Sequence, residues 1–238
     1  MDEAKKVLKI GGSLLFGETL EVNESRIKDF IELITEYRDS IAAVIVGGGK
    51  VARLYINALA SMHGNQSLQD MLGIEISRIN ARMLASMMGN ENAYQGIPRS
   101  ARELLELRSI LDGKIVFTGG FEVGQSTTSV ACEVAEILGN LQLIIGTDVD
   151  GVYDKDPGKH PDARKLEKVT PSDIISILGI GSEKTQKAGE YRILDTVSLS
   201  IIMRSNLNVR IVKGDTGTLK RALKGEHVGT RIQYEEEN

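Results

Sequence analysis

Paired or tripled glycines follow three apolar runs of the chain, and basic residues stand beside two of them. The glycines are Gly11-Gly12, Gly47-Gly48-Gly49 and Gly119-Gly120. Glycine has no side chain, so backbone N–H groups at such turns can approach phosphate oxygens closely. Lys9 precedes the first turn and Arg53 follows the second by one helical turn, so both can add positive charge to one cleft. The combination predicts a phosphate site and, with a metal ion, phosphoryl transfer.

Each of these features also has an ordinary explanation. A single glycine pair is most often a tight turn that needs positive φ, and a single lysine in a strand is most often solvated. Three glycine turns at equivalent strand ends favour a ligand site over three unrelated turns. Lys9, beside the first turn, is therefore the leading catalytic candidate.

Two known phosphate motifs can be excluded. Residues 119–126 have the spacing of a P-loop, but Gln125 stands where that loop requires lysine. No glycine cluster fits the G-x-G-x-x-G dinucleotide fingerprint. The 121–127 segment still offers backbone amides and the hydroxyls of Ser126 and Thr127 at a predicted helix start. That arrangement suits a phosphate or a ribose, and a capped helix explains it equally well.

A second polar segment, residues 147–157, follows the most apolar predicted strand. Its side chains that could contact a nucleotide are Thr147, Asp148, Asp150, Tyr153 and Asp156. Either Asp148 or Asp150 could orient Lys9 or approach Mg²⁺ through water, and Tyr153 could lie beside a base. Asp150 and the glycine after it are also a hairpin signal, so both interpretations stay open.

The elements that must position these residues alternate along the chain. Short apolar runs alternate with segments of helical period, which is typical of an α/β protein with a mostly parallel sheet and helices on both faces. The predicted strands are residues 7–10, 41–46, 114–118, 141–147 and 209–212. The predicted helices are one around residues 27–34 with Asn23 as its cap, and residues 51–62, 68–88, 101–111, 127–138 and 192–204. We expect one compact domain with two lobes.

Composition limits the function classes. A 41% hydrophobic and 26% charged chain is typical of a soluble globular protein, and a net charge of −4 argues against a dedicated nucleic-acid binder. One cysteine cannot form an internal disulfide, and three scattered histidines supply no zinc site. The start of the chain shows neither a signal peptide nor a membrane span. We therefore expect a cytoplasmic protein with no membrane partner.

The glycine turns, residues 118–127 and residues 147–157 stand together in one recognisable order and spacing. With them the chain resembles the archaeal UMP kinases (uridylate kinases) of the amino acid kinase superfamily over nearly its whole length. The resemblance implies a three-layer α/β/α sandwich and a homohexamer. It also implies a transferase that uses MgATP and UMP to form UDP in pyrimidine biosynthesis. Residues 1–140 would form the acceptor lobe and residues 141–238 the ATP lobe.

The resemblance also implies a role for each motif residue. Those implied to bind ATP are Lys9, Gly11, Gly12, Gly49, Arg53, Thr147, Asp148, Tyr153 and Asp156. Those implied to bind UMP are Gly48, Asp70, Phe121, Glu122, Val123, Gly124, Gln125, Ser126 and Thr127. Catalysis falls to Lys9, Gly12 and Asp150, with Mg²⁺ arriving on ATP rather than on protein ligands. Without the resemblance, Asp70 would be predicted only as a helix cap. Residues 188–195 also match the family's pattern near the nucleotide.

Two departures and two alternatives accompany this prediction. Asp148 stands where archaeal relatives often have asparagine, and Glu122 and Val123 replace a segment that often holds proline. One alternative keeps the fold with another acceptor, as in isopentenyl phosphate or acetylglutamate kinases. Isopentenyl phosphate kinases usually have a histidine in the glycine-rich acceptor region, and this chain has none beside residues 47–49. The other is a nucleotide-binding module without turnover, and the retained Lys9, Arg53 and Asp156 argue against it.

Overall fold

The structure is a computed structural model that describes residues 4–17, 20–155, 160–178 and 193–233. The strands in this part of the chain are β1 (Lys6–Ile10), β2 (Ile41–Val46), β3 (Ala93–Tyr94), β4 (Ile115–Thr118), β5 (Gln142–Thr147), β6 (Val152–Tyr153), β7 (Lys165–Leu166), β8 (Lys168–Val169), β9 (Val209–Lys213) and β10 (Thr230–Ile232). The α-helices are α1 (Glu24–Glu36), α2 (Gly49–Ser61), α3 (Gln66–Asn92), α4 (Ala101–Leu107), α5 (Thr127–Ile137), α6 (Pro171–Leu178), α7 (Thr196–Ser205) and α8 (Thr216–Leu223). A 3-10 helix, Gly12–Leu15, follows β1 directly.

Eight of these strands form one central sheet. Their order is β3-β4-β2-β1-β5-β9-β10-β8, and β6 pairs separately with β7. Neighbouring strands are parallel from β3 to β9, whereas β10 runs antiparallel to β9. The predicted α/β class is thereby confirmed. Because parallel strands all end at one edge, the turns after β1, β2, β4 and β5 lie on the side where open α/β sheets bind ligands.

Helices cover both faces of the sheet and make the three layers. One core lies between the sheet and α1, α3 and α8, with Phe30, Leu84 and Leu219 at its centre. The second core lies on the opposite face, where Val130 of α5 and Ile202 of α7 are buried. A sheet buried on both faces explains why its strands read as continuous apolar runs. Among the described helices, none is both long and apolar enough to cross a membrane.

The predicted elements agree closely with those observed. All five predicted strands are present, each within one residue at either end. Asn23 caps α1 by accepting the Arg26 N–H, as expected. The predicted end of the long helix coincides with Gly89, where φ is 73° and the helical backbone is interrupted. The prediction missed α6 and α8, and it placed the end of α4 four residues late because Leu111 continued the apolar period.

Candidate active site

The first two glycine turns touch backbone to backbone. A Cβ built on Gly12 would lie 2.2 Å from the Gly47 oxygen and 2.3 Å from the Gly49 nitrogen. A Cβ on Gly49 would lie 2.5 Å from the Gly12 oxygen, and the φ of Gly49 is +67°. Only glycine at both positions permits this approach without displacing the backbone. We call this contact between residues 11–12 and 47–49 the glycine junction.

Several turn amides already have protein acceptors. The N–H of Gly11 donates to Gly146 O, that of Gly47 to Ile10 O and that of Gly120 to Ser77 Oγ, at 3.1, 3.0 and 2.8 Å. Helix α2, however, begins at the junction with Gly48 as its N-cap, and the first N–H groups of a helix have no intrahelical partner. The N-terminus of α2 is therefore the part of the junction suited to an anion, and half-buried Arg53 follows it by one turn.

The third glycine turn has a structural explanation instead. A Cβ on Gly119 would lie 2.4 Å from Ser77 Oγ, and one on Gly120 would lie 2.9 Å from Ile74 Cγ1. Both glycines thus let β4 pack tightly against α3. The Gly120 amide is already used by the helix, and a role of this turn in holding phosphate stays a prediction.

Lys9 lies in β1 between β2 and β5, with its side chain only 7% exposed. Burial lowers the pKa of the Lys9 ammonium to about 8, while the negative charge of Asp148 opposes that shift. Asp148 also accepts a hydrogen bond from Thr147 Oγ1 at 3.0 Å. A cation held in a buried position two residues from the junction can stabilise charge on a transferred phosphoryl group.

The lowered pKa of Lys9 predicts a specific pH dependence of stability. In the unfolded chain this pKa returns to 10.5, so between about pH 8 and 10.5 the unfolded state binds more protons than the folded state. The Lys9 contribution to the free energy of unfolding should therefore become more favourable across this window as pH rises. We expect a gain of about 3 kcal/mol for the wild type relative to Lys9→Met, measured by urea denaturation of both proteins. Parallel pH profiles would contradict it.

Asp150 has partners other than Lys9. Its carboxylate accepts from the Tyr153 hydroxyl at 2.6 Å and from Lys165 Nζ at 3.1 Å. The Tyr153 hydrogen bond, with help from Lys165, holds the pKa of Asp150 below its ordinary value. The charge that acts on Lys9 is that of Asp148. Asp150 therefore orients the Tyr153 ring, and its assignment to catalysis stays a prediction.

A polar stripe on α3, missed by sequence reasoning, holds the second and third turns. Asn80 Nδ2 donates to Gly47 O at 2.9 Å, and Ser77 Oγ accepts from the Gly120 N–H. Both side chains are almost fully buried. Polar residues on a buried helix face signal that partners exist, because buried polar groups are nearly always hydrogen-bonded. The sequence did not indicate which backbone groups those partners are.

Arg78, on the same helix, fixes the start of the 121–127 loop. Its Nε donates to Gly120 O at 3.0 Å, and its Nη2 donates to Phe121 O at 3.0 Å and to Arg99 O at 3.1 Å. Its guanidinium is a rigid fork of five donors, so these three carbonyls are held in fixed relation to α3. Sequence reasoning did not identify Arg78 either.

The 121–127 loop lies beside Asp70 and the second glycine turn. Asp70 Oδ2 accepts from the Gly124 N–H at 2.9 Å, so the predicted carboxylate does contact the predicted loop. The loop ends at Ser126, whose side chain caps α5, and the Thr127 hydroxyl lies 3.6 Å from the position of a Cβ on Gly47. Phe121 is buried under the loop, whereas Glu122, Val123 and Gly124 are exposed. Asp70 and the second glycine turn are therefore both neighbours of this loop.

Asp195 joins the start of α5 to the start of α7. Its buried carboxylate accepts from the Ser126 hydroxyl and, at 2.8 Å, from the Ser129 hydroxyl. It also caps α7 by accepting the Ser198 N–H at 2.7 Å. The sequence placed residue 195 in a family pattern without a role, although Asp195 with Ser198 forms a capping box. Residues 188–192 of that pattern and the predicted ligand Asp156 lie outside the described residues.

Comparisons with known proteins agree on one family. The model of the amino acid kinase family matches residues 4–213. A uridylate kinase from Thermofilum pendens is 38% identical over 239 residues, which is 98% of this chain and 99% of that protein. One from Methanobrevibacter smithii is 37% identical over 230 residues, 96% of this chain and 98% of that protein.

Solved structures share the fold along the same length. The crystal structure of uridylate kinase from Archaeoglobus fulgidus gives a TM-score of 0.78 at 30% identity and covers 96% of this chain and 99% of that chain. The UMP kinase from Ureaplasma parvum gives a TM-score of 0.79 at 18% identity, a likeness of fold alone.

Proposed function

The chain belongs to the amino acid kinase family, and from this membership we propose that it transfers the γ-phosphoryl group of ATP to UMP, giving ADP and UDP. The observation that carries the phosphoryl transfer is buried Lys9 beside a glycine junction from which helix α2 begins. The acceptor is supported by the uridylate kinases, which are similar over nearly the full length of this chain. The predicted pathway, pyrimidine biosynthesis, follows from that acceptor.

Donor and acceptor would bind on opposite sides of the junction. On the donor side we place Gly49 and Arg53 with the ATP phosphates and Tyr153 with the base. On the acceptor side we place Gly48, with UMP in the space bounded by Asp70 and the 121–127 loop, a placement supported by the Asp70–Gly124 hydrogen bond. The division into lobes at about residue 140 is proposed on the same grounds.

In this mechanism the protein supplies position and charge rather than a covalent intermediate. The N-terminus of α2 and Arg53 would hold the ATP phosphates. The acceptor side, bounded by Asp70 and the 121–127 loop, would align the UMP phosphate for in-line attack. Lys9 would donate hydrogen bonds to the transferred group as its charge develops. Since an anionic ligand favours the ammonium form, nucleotide binding should also raise the lowered pKa of Lys9.

Mg²⁺ would enter with ATP and would supply positive charge that neutralises the transferred group. Among the described residues, no cluster of three or more His, Cys, Asp or Glu side chains is built to hold a metal by itself. Kinase Mg²⁺ needs only one or two carboxylates besides phosphates and water. The exposed carboxylate of Asp148, whose charge acts on Lys9, fits that requirement.

An acceptor screen tests the proposed function. ADP release would be measured with purified protein, MgATP and each of UMP, CMP, AMP and GMP, with isopentenyl phosphate and acetylglutamate as further arms. We expect kcat/KM for UMP to exceed that of the purine nucleotides by at least about 100-fold, because a pocket that hydrogen-bonds one base rejects others strongly. Comparable rates with all acceptors, or faster turnover of either non-nucleotide, would contradict the proposal.

Arg78→Met should weaken UMP binding more than it slows chemistry. Loss of the three carbonyl contacts leaves the 121–127 loop to be ordered by UMP itself, which costs binding free energy. We expect KM for UMP to rise about 10- to 30-fold with kcat within about threefold of wild type. Steady-state kinetics would be compared with those of Arg82→Met, which removes an exposed arginine one turn along the same helix. A fall in kcat at constant KM would refute this positioning role.

We also propose the predicted homohexamer, and exposed apolar side chains support it. On α2, Leu54 and Tyr55 are each 52% exposed, and on α3 Met71 and Ile79 are 53% and 60% exposed. A large exposed apolar patch is unusual on a monomer and marks an interaction surface. Analytical ultracentrifugation should give a hexameric mass, and Ile79→Glu should reduce it; a monomeric wild type would contradict the assembly.

A further inference from the structure

A strongly basic cleft lies on the face of the sheet that carries α8. Its volume is about 470 Å³. Its lysines and arginines are Lys165, Lys168, Arg210, Lys213, Arg221 and Arg231, and the acidic residues of its described lining are Asp150 and Glu167. The whole chain has a net charge of −4, so this local excess of positive charge is not a consequence of composition.

In the described part of the chain, some of this positive charge has no acidic partner. Lys165 is paired with Asp150, and Arg221 is paired with Glu226. Within residues 4–17, 20–155, 160–178 and 193–233, no ion pair engages the cleft's other four cations, Lys168, Arg210, Lys213 and Arg231. An excess of this size in one cavity attracts an anion carrying several charges.

The position of Arg210 means that this excess of positive charge destabilises the folded protein. Its side chain is 6% exposed, and its Nη1 donates to the carbonyl oxygens of Glu226 and Val228 rather than to a carboxylate. It lies directly opposite Arg231 in the antiparallel pairing of β10 with β9. Burial and the charge of Arg231 together lower the pKa of Arg210. Like charges opposed across strands are destabilising, and an anion bound between them would reverse that effect.

The cleft is distinct from the site at the glycine junction. None of Lys9, Gly12, Gly49 and Arg53 lines it. Its floor is formed by β9 and β10 beside α8, whereas the junction lies where β1 and β2 end. Of the described residues assigned to phosphoryl transfer, only Asp150 also lines the cleft.

We propose that this cleft is a second anion site, which binds the oligophosphate chain of a nucleoside triphosphate or of inorganic triphosphate. Its volume lies within the range of small-ligand pockets, and its cations match the several negative charges of such a chain. Arginine suits this ligand because its planar fork binds phosphate oxygens in pairs. An extended nucleic acid would instead need a basic stripe along the surface, and the described charges converge in one cavity.

Calorimetric titration with inorganic triphosphate tests the site. The titrations use Arg53→Gln protein, in which phosphate binding at the junction is weakened, and they need no catalytic activity, so failure of the proposed kinase function would not affect them. Adding Lys168→Gln and Arg231→Gln should weaken binding by about 100-fold, roughly tenfold for each lost charge-assisted contact. The matched control adds Lys28→Gln and Arg108→Gln, two exposed cations outside the cleft, and should stay within about threefold.

The outcomes separate the sources of the phosphate chain. Equal affinities for triphosphate and for ATP or UTP would support recognition of the chain alone. Tighter binding of a nucleoside triphosphate, lost in the cleft variant, would support a nucleotide site. Cleft and control variants that bind triphosphate equally would overturn the proposal, as would binding only to single-stranded RNA. Matching thermal unfolding curves establish that both variants are folded.

Discussion

Lys9→Met is expected to lower kcat by at least about 1,000-fold while changing KM for either nucleotide by less than about threefold. The ammonium is held in place by burial in β1, so it stabilises the transferred phosphoryl group without reorganising during the reaction. Losing such a preorganised charge costs about 4 kcal/mol of transition-state stabilisation, and ground-state binding remains with α2 and Arg53. Methionine keeps most of the side-chain volume and removes the charge together with its hydrogen-bond donors.

Lys6→Met is the matched control for this substitution. Lys6 lies in the same strand and is also buried, at 4% exposure, but it stands at the end of β1 away from the glycine junction. Initial rates of ADP formation at saturating ATP and UMP should be lost in the Lys9 variant and kept in the Lys6 variant. A Lys9→Met kcat within tenfold of the wild type would remove Lys9 from the mechanism.

Gly12→Ala is expected to lower kcat by more than about 100-fold and to lower the free energy of unfolding by about 2–3 kcal/mol, the latter being typical of overpacking a tight contact. The added Cβ would lie 2.2 Å from the Gly47 oxygen, so the two turns of the junction must separate. Separation moves the N-terminus of α2 away from Lys9. Because misplacement by about 1 Å can cost 100-fold in rate, we expect kcat to fall by more than that.

Gly11→Ala is the control for the steric argument. Its added Cβ would meet the Gly146 oxygen at 3.4 Å, an ordinary contact, and the backbone of Gly11 already has a negative φ of −59°. Urea unfolding and initial rates would be measured for both variants. Equal losses in the two proteins would show that glycine matters here for flexibility, not for the close approach of the turns.

The sequence predicted the sheet well because its strands are buried on both faces. Continuous apolar runs that end in glycines are visible without any knowledge of partners, and β1, β2 and β5 were placed within one residue for this reason. Helix α8 was missed because it is short and has one narrow apolar stripe. Its cap Asp215, which accepts the Thr218 N–H, was an available signal.

The candidate site was less predictable because its contacts join distant parts of the chain. Glycine pairs indicated turns, but not that Gly12 touches Gly49 or that Gly119 packs against Ser77. From the sequence alone, Arg78 is predicted to be an exposed arginine on a helix, because its three carbonyl partners are known only from the structure. The spacing of Asp148 and Asp150 likewise left open which carboxylate acts on Lys9. Each depends on tertiary packing, which local pattern does not specify.

Helix α3 presents two surfaces that cannot move independently. Arg78 and Asn80 hold the 121–127 loop and the second glycine turn, while Ile79 between them faces solvent at 60% exposure. A helix shifts as a rigid body, so any movement of the 121–127 loop on UMP binding would also move Ile79. A subunit packed on Ile79 would be displaced with it. Occupancy of one acceptor site would then alter the affinity of its neighbour. For the proposed hexamer we therefore expect a sigmoidal UMP saturation curve that becomes hyperbolic when the subunits dissociate.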